Sequence, residues 1–461
     1  MGETADALVV FGISGDLART KTLPALYDLT KAGILRCPVV GVGRRPLRRD
    51  EIQEHARVAI TAAKGASLDR KVLDRFLSQL SYVGGDVAED GLYDRLRKTL
   101  AGSSAPVFYL AIPPVTFLDA AEELAEARLL DNARLVVEKP FGTDLASARE
   151  LNERLTVLVP EERLYRIDHF LGKEPVQDIM YLRFANALFE PIWSRDHVES
   201  IQITMAEDFG VDGRGSFYDR VGALRDVVQN HLLQVLALVT MEPPAGDDDA
   251  VSRHRLDVFR AMASANPAGA VRGQYDGYLE IDGVRPGSDT ETFVALRLGI
   301  ESWRWAGVPI LVRAGKSLPV SATEIVVRLK RVPELRYGSH RLSRPGANDV
   351  VFRIGRDAGV TIAIRAKSPG KEVTRPVSLD VSFVEELGTP PGPYERLLTD
   401  ALHGDTTLFP RWDVIEETWR IVQPLLDAPS PVEPYAPGTW GPSRANALAR
   451  AHGGWRMPRP G

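Results

Sequence analysis

The chain has 461 residues, of which 44% are hydrophobic and 26% charged, with a formal net charge of −5 at pH 7. That length exceeds what one hydrophobic core usually serves, so two domains are expected, and the lack of a basic excess argues against a nucleic-acid partner. Cys37 is the only cysteine, which excludes an internal disulfide and a cysteine-based metal cluster and suits a small apolar residue in a reducing compartment.

The first residues, Met1 to Ala7, are acidic and run straight into a strand pattern, without the charged and apolar regions of a secretory signal. No apolar run reaches the length of a membrane span, so a cytoplasmic chain without a membrane partner is expected. Through the first third, apolar runs at Ala7–Gly12, Pro38–Gly43, Val107–Ile112 and Arg134–Glu138 alternate with helical patterns at Asp16–Thr30, Asp50–Ala63 and Val115–Arg128. Near-continuous apolar strands between helices predict a Rossmann-like, doubly wound parallel sheet over residues 1–165, with ligands at the carboxyl ends of its strands.

Within that region the first strand leads into Gly12-Ile13-Ser14-Gly15-Asp16-Leu17. Glycines here let the backbone turn tightly toward a pyrophosphate at a helix N-terminus, although the pattern is not Gly-x-Gly-x-x-Gly and a plain strand-to-helix turn reads the same way. The second strand ends at Gly43-Arg44-Arg45, where an NAD-binding fold normally places a carboxylate. Two guanidinium groups instead suit the 2′-phosphate of NADP⁺, the alternative being a solvated basic turn. The fourth strand runs into Glu138-Lys139-Pro140-Phe141-Gly142, placing Lys139 at the sheet's carboxyl edge, where it can orient a hydroxyl and a nicotinamide amide. Arg166 to Glu174 concentrates Asp168, His169 and Lys173 beside Gly172, a set suited to an anionic group or to a surface ion-pair cluster.

Beyond residue 165 the runs lengthen and alternate with period two, at Ser200–Ala206, Thr292–Leu298, Thr323–Leu329, Val350–Ile354, Val360–Ala366 and Val377–Phe383. This predicts an α+β domain over 166–461, a large mostly antiparallel sheet covered by helices at Glu174–Phe189, Gly222–Met241, Ser252–Ala263 and Trp412–Leu426. Pro243–Asp249, Ser343–Asn348 and Gly388–Pro393 read as loops, and the Pro-rich tail after Pro431 as a surface strap. At about 100° per residue from Gly222, His231 shares a face with Leu224, Val227, Val235 and Leu238 and points inward, either as a core histidine or as a base oriented by Asp168. The histidines at 55, 197, 254, 340, 403 and 452 show no metal-ligand spacing, and no metal is expected; Trp303, Trp305, Trp412 and Trp419 read as core or interface aromatics.

The ordered set of Gly12 to Ala18 with Lys21 and Pro24, Glu138 to Gly142, Arg166 to Glu174 and Gly222 to Gln234 resembles the glucose-6-phosphate dehydrogenase family. Val308 to Lys316 and Pro393 to Leu397 extend that resemblance toward the C-terminus, so it covers nearly the whole chain. It implies oxidation of glucose 6-phosphate to 6-phosphogluconolactone with NADP⁺, the first step of the oxidative pentose phosphate pathway. His231 is then the base for the anomeric hydroxyl, paired with Asp168, while His169 and Lys173 hold the phosphate. Lys139 positions substrate and cofactor, Lys21 lies at their boundary, and Glu207, Asp226 and Lys316 contact the sugar. Gly12, Gly15, Asp16, Leu17, Arg44 and Arg45 fall to the cofactor. A homodimer or homotetramer joined through the large sheet is also implied. Phe170 and Ser321 depart from the commoner tyrosine and basic residue, which removes polar reach toward the substrate. A dehydrogenase for another sugar phosphate and a catalytically idle dinucleotide sensor are the competing readings.

Overall fold

The computed structural model describes residues 4–89, 91–247, 249–333, 335–337, 340–342, 346–355, 357–371 and 373–458. Residues 1–3, Asp248 and residues 343–345 of the expected acidic start and loops lie outside the described residues, as does the side chain of His340. The chain divides into two units. The first comprises Met1–Lys173, Gly246–Ser252 and Pro391–Glu416, and the second Glu174–Ala245, Arg253–Pro390 and Glu417–Gly461.

In the first unit, β1 (Ala7–Phe11), β2 (Val39–Gly43), β3 (Leu80–Gly84), β4 (Pro106–Leu110), β5 (Arg134–Val137) and β6 (Leu164–Arg166) form one sheet in the order β3-β2-β1-β4-β5-β6. Every pairing is parallel. Because side chains alternate across a strand, each continuous apolar run feeds two cores. Leu8, Val10, Val107 and Tyr109 pack against helices 23–31, 49–64 and 70–79. Ala7, Val9, Phe11, Phe108 and Leu110 pack against helices 92–99, 117–126 and 145–158 on the other face. Helix Pro393–His403, which the sequence reading assigned to the region after 165, contributes Tyr394, Leu397, Leu398, Ala401 and Leu402 to the first of these cores. The half-buried Cys37 packs beside that core too, and burial pushes its thiol up to about 11. The edge strands β3 and β6 escaped the sequence reading because each mixes polar with apolar side chains, without a continuous apolar run.

The second unit is built on β7 (Val198–Ala206), β8 (Ala270–Tyr275), β9 (Phe293–Leu298), β10 (Ile310–Gly315) and β11 (Ala322–Leu329). A small hairpin follows, β12 (Leu335–Tyr337) with β13 (His340–Leu342), then β14 (Asp349–Arg353), β15 (Gly359–Lys367), β16 (Thr374–Ser382) and β17 (Val432–Tyr435). Nine of these strands form one sheet in the order β16-β15-β14-β11-β7-β10-β9-β8-β17. Its pairings are antiparallel except β10 with β7 and β17 with β8. The α/β plus α+β reading holds. No helix among the described residues is long and apolar enough to cross a membrane.

Two expectations fail here. The tail is not a surface strap: Tyr435 and Trp455 are buried in the core beside Phe293 and Leu311, because an aromatic side chain gains more from burial than proline-rich backbone loses by pairing at a sheet edge. Of the tryptophans read as core or interface aromatics, Trp305 and Trp419 are buried, whereas Trp303 is 89% exposed, with the Arg195 guanidinium 5.6 Å from its ring. And the helix read as one run from Gly222 is interrupted. Gly222 sits at φ 67°, ψ 173°, residues Leu224–Leu232 are wound as π-helix, and α-helix resumes only at Leu233–Thr240. The 100° periodicity therefore does not apply around His231, which is buried because nearly every residue from Val227 to Met241 is.

Candidate active site

The candidate residues fall into clusters, each held within one unit. The first lies where β1 and β2 end. Gly12 takes φ +76°, and a Cβ there would stand 2.3 Å from the Ala111 carbonyl oxygen, so only glycine makes this turn. The Gly15 N–H donates to the Gly12 carbonyl at 2.9 Å, and helical winding begins at Asp16. The amides of that first turn have no intrahelical acceptor and form a site that favours an anion. Asp16 and Lys21 are exposed, Leu17 half-buried, and Asp16 pairs with Arg19 at 3.2 Å.

Gly43, at the end of β2, packs against the Ser14 hydroxyl of this turn and against Tyr82. The Tyr82 hydroxyl is shared between the carbonyls of Gly43 at 2.8 Å and Arg45 at 2.6 Å, which pins the strand end that presents Arg44 and Arg45. Both arginines are exposed, and neither side chain has a carboxylate partner among the described residues. A glycine turn, free helix amides and two uncompensated guanidinium groups fit a dinucleotide carrying an extra phosphate. Tyr82 gave no sequence signal, since its role depends on β3 pairing with β2.

The second cluster surrounds the end of β5. Glu138 is buried, accepts a hydrogen bond from the Tyr109 hydroxyl at 2.7 Å and another from Tyr394. Burial pushes its carboxyl up to about 7, against the lowering effect of both hydroxyls and the Lys139 ammonium. Lys139 follows, half-buried. In the neighbouring segment Asp168 is buried and accepts the Phe170 N–H at 2.9 Å, which fixes its carboxylate. The Lys173 ammonium lies 3.5 Å from the centroid of the buried Phe170 ring, and His169 stacks on Tyr394 at 6.4 Å. Tyr394 thus touches both Glu138 and His169, a link invisible in a sequence that separates them by over two hundred residues.

The third cluster belongs to the second unit. Strands β7 and β10 run parallel with Ala206 beside Gly315, so the next residues, Glu207 and Lys316, emerge side by side. Lys316 pairs with Glu207 and lies 3.8 Å from Asp226, with the Phe209 and Tyr218 rings 5.4 and 5.5 Å from its ammonium. The Tyr435 hydroxyl donates to the Lys316 carbonyl at 2.7 Å, holding its backbone. Ser321 does not extend this cationic group; its hydroxyl bonds the Asp208 carboxylate and receives the Asp208 N–H at 3.1 Å. His231 is buried on the π-helical segment that also carries Asp226. Two carboxylates around one buried ammonium make a polar patch able to exchange hydrogen bonds with several hydroxyls.

Comparison with known proteins converges. Residues 9–178 match the family model described as glucose-6-phosphate dehydrogenase, NAD binding domain, and residues 180–456 the model of its C-terminal domain. The chain is 51% identical over 459 residues to glucose-6-phosphate 1-dehydrogenase 1 of Mycobacterium tuberculosis, covering 99% of this chain and 97% of that protein. It is 40% identical over 474 residues to the glucose-6-phosphate 1-dehydrogenase of Rhizobium meliloti, with 96% of each covered. The crystal structure of glucose-6-phosphate 1-dehydrogenase from Mycobacterium avium superposes with a TM-score of 0.92 at 49% identity, covering 99% of both chains. A glucose-6-phosphate dehydrogenase in complex with its substrate, glucose-6-phosphate, superposes at 0.91 with 34% identity over the full length of each. On both family models and on relatives matched along nearly their full length, the chain belongs to the glucose-6-phosphate dehydrogenase family.

Proposed function

We propose that this chain oxidises glucose 6-phosphate to 6-phosphogluconolactone with NADP⁺. The observation that carries this reading is the likeness to glucose-6-phosphate 1-dehydrogenases along 99% of the chain, in a chain that keeps Lys139, Asp168, His169, Lys173 and His231. In the proposed reaction His231 removes the proton of the anomeric hydroxyl, and Asp168, its carboxylate held by the Phe170 N–H, orients and stabilises the resulting imidazolium. NADP⁺, when bound, accepts the C1 hydrogen as hydride. His169 and Lys173 grip the phosphate, Glu207, Asp226 and Lys316 the sugar hydroxyls, and Lys139 and Lys21 the edge shared with the cofactor. Gly12, Gly15, Asp16 and Leu17 receive the pyrophosphate and Arg44 and Arg45 the 2′-phosphate. Residues 1–165 serve as the cofactor domain and 166–461 as the substrate and assembly domain.

Assembly as a homodimer or homotetramer through the large sheet is supported by Ile364, Leu379 and Val381, apolar residues left exposed on β15 and β16. Light scattering on the eluted protein reads the oligomer directly. The acidic balance and lone cysteine support a cytoplasmic enzyme without nucleic-acid or membrane partners.

The decisive experiment measures NADPH absorbance with glucose 6-phosphate, galactose 6-phosphate and glucose, each with NADP⁺ and NAD⁺. Glucose 6-phosphate with NADP⁺ is expected to lead, and His231→Asn to lower its kcat by about 10² to 10⁴ while KM changes little. Turnover of His231→Asn within twofold of the parent refutes the assignment of the base.

A further inference from the structure

The π-helical segment with His231 and Asp226 begins at a kink, and the kink is held from outside. Gly222 is in a left-handed conformation, and Glu291, just before β9, closes over it. Its backbone carbonyl accepts the Ala223 N–H at 2.9 Å, and its carboxylate oxygen Oε1 accepts the Leu224 N–H at 3.0 Å. A Cβ on Gly222 would stand 2.5 Å from that same oxygen, so the fit leaves no slack. The other oxygen, Oε2, accepts two hydrogen bonds from Arg272 at 3.1 and 3.2 Å. Arg272 is itself anchored to the carbonyls of Ser430 at 2.8 Å and Asp289 at 2.7 Å. On the preceding turn, Thr290 donates to the Asp219 carbonyl at 2.7 Å, while the Asp219 side chain accepts Arg285 at 2.7 Å and Tyr278 at 3.1 Å.

A helix normally caps its own first amides with the side chain that precedes it. Ala223 has none to offer, and Glu291 supplies the carboxylate from the segment just before β9, where a negative charge also suits the helix dipole. We infer that Glu291, braced by Arg272, is a positioning residue that sets the start, and thereby the register, of the segment presenting Asp226 and His231. This inference rests on the proposed role of His231. It differs from that role in that Glu291 touches neither reacting atom; it acts through the placement of the helix. An error of about 1 Å in a catalytic group costs on the order of 10² in rate, so a partial loss of register lowers turnover without removing substrate contacts.

The test separates reach from charge. Glu291→Asp keeps the charge for Arg272 but withdraws the carboxylate by one methylene from Leu224, and it is expected to lower kcat about tenfold with KM for glucose 6-phosphate within threefold. Glu291→Gln keeps an oxygen at the right distance for Leu224 but turns an NH2 donor toward Arg272, so it should lose part of the bracing yet lower kcat clearly less than Glu291→Asp does, which is partial rescue by the residue of matching length. Both substitutions are small, and unchanged circular dichroism and elution volume establish that each variant is folded. In a His231→Asn background, Glu291→Asp should cost less than twofold more, because there is no base left to misplace. Parental turnover by Glu291→Asp, or equal losses in Asp and Gln variants, overturns the inference while leaving the base in place. Parental turnover by His231→Asn instead overturns the base assignment and this inference with it.

Discussion

Glu138 offers a quantitative test of the site's electrostatics. Its carboxyl is buried between Tyr109 and Tyr394, and burial moves it from 4.5 to about 7 in the folded protein. Between those values the folded chain keeps a proton that the unfolded chain releases. The stability Glu138 contributes is therefore whole below about pH 4.5, falls as pH rises toward 7, and is gone above it. At about 1.4 kcal/mol per pH unit across that window, the loss amounts to about 2–3 kcal/mol between pH 5 and pH 8. Glu138→Gln has the same shape and still accepts a hydroxyl hydrogen bond, but does not titrate. Urea unfolding of both proteins at pH 5, 6, 7 and 8 should show the variant gaining about 2–3 kcal/mol on the parent over that range, most of it between pH 5 and 7. A difference constant to within about 0.5 kcal/mol across the range refutes the argument, since a carboxylate ionised throughout behaves that way.

Arg44→Ala is expected to weaken NADP⁺ by about 1.5–3 kcal/mol and NAD⁺ hardly at all, read by fluorescence titration, with the Arg44/Arg45 double substitution the larger effect; equal losses make these arginines structural. Phe170→Tyr adds a hydroxyl at the edge of the ring that lies under the Lys173 ammonium and should tighten glucose 6-phosphate roughly tenfold without improving unphosphorylated glucose; a gain for both sugars alike places the ring away from the phosphate. Gly12→Ala forces a side chain into the left-handed region and against the Ala111 carbonyl 2.3 Å away. It should cost more than about 2 kcal/mol of stability in thermal unfolding and abolish dinucleotide binding.

Much of this protein is determined locally. The β1, β2 and β4 runs, and β5 after Arg134, are apolar because both faces of a parallel sheet are covered, and such runs are legible without a partner. The same holds for the alternating strands of the second unit, and for the glycine turn at Gly12, whose backbone conformation is a property of the residue itself. Family blocks are legible for a related reason, since each keeps its chemistry within a few consecutive residues.

What tertiary structure alone decided are pairings between distant segments. Lys316 meets Glu207 only because β10 and β7 run parallel in register, Tyr82 pins Arg45 only because β3 joins β2, and Tyr394 returns from late in the chain to Glu138 and His169. The kink at Gly222 is the clearest case. Periodicity assumes a helix free to wind at its own pitch, whereas here the segment starts at a kink where the carboxylate of Glu291, just before β9, accepts the Leu224 N–H, a contact no local pattern announces. A sequence encodes such a contact in two places at once, and its energy appears only when folding brings them together.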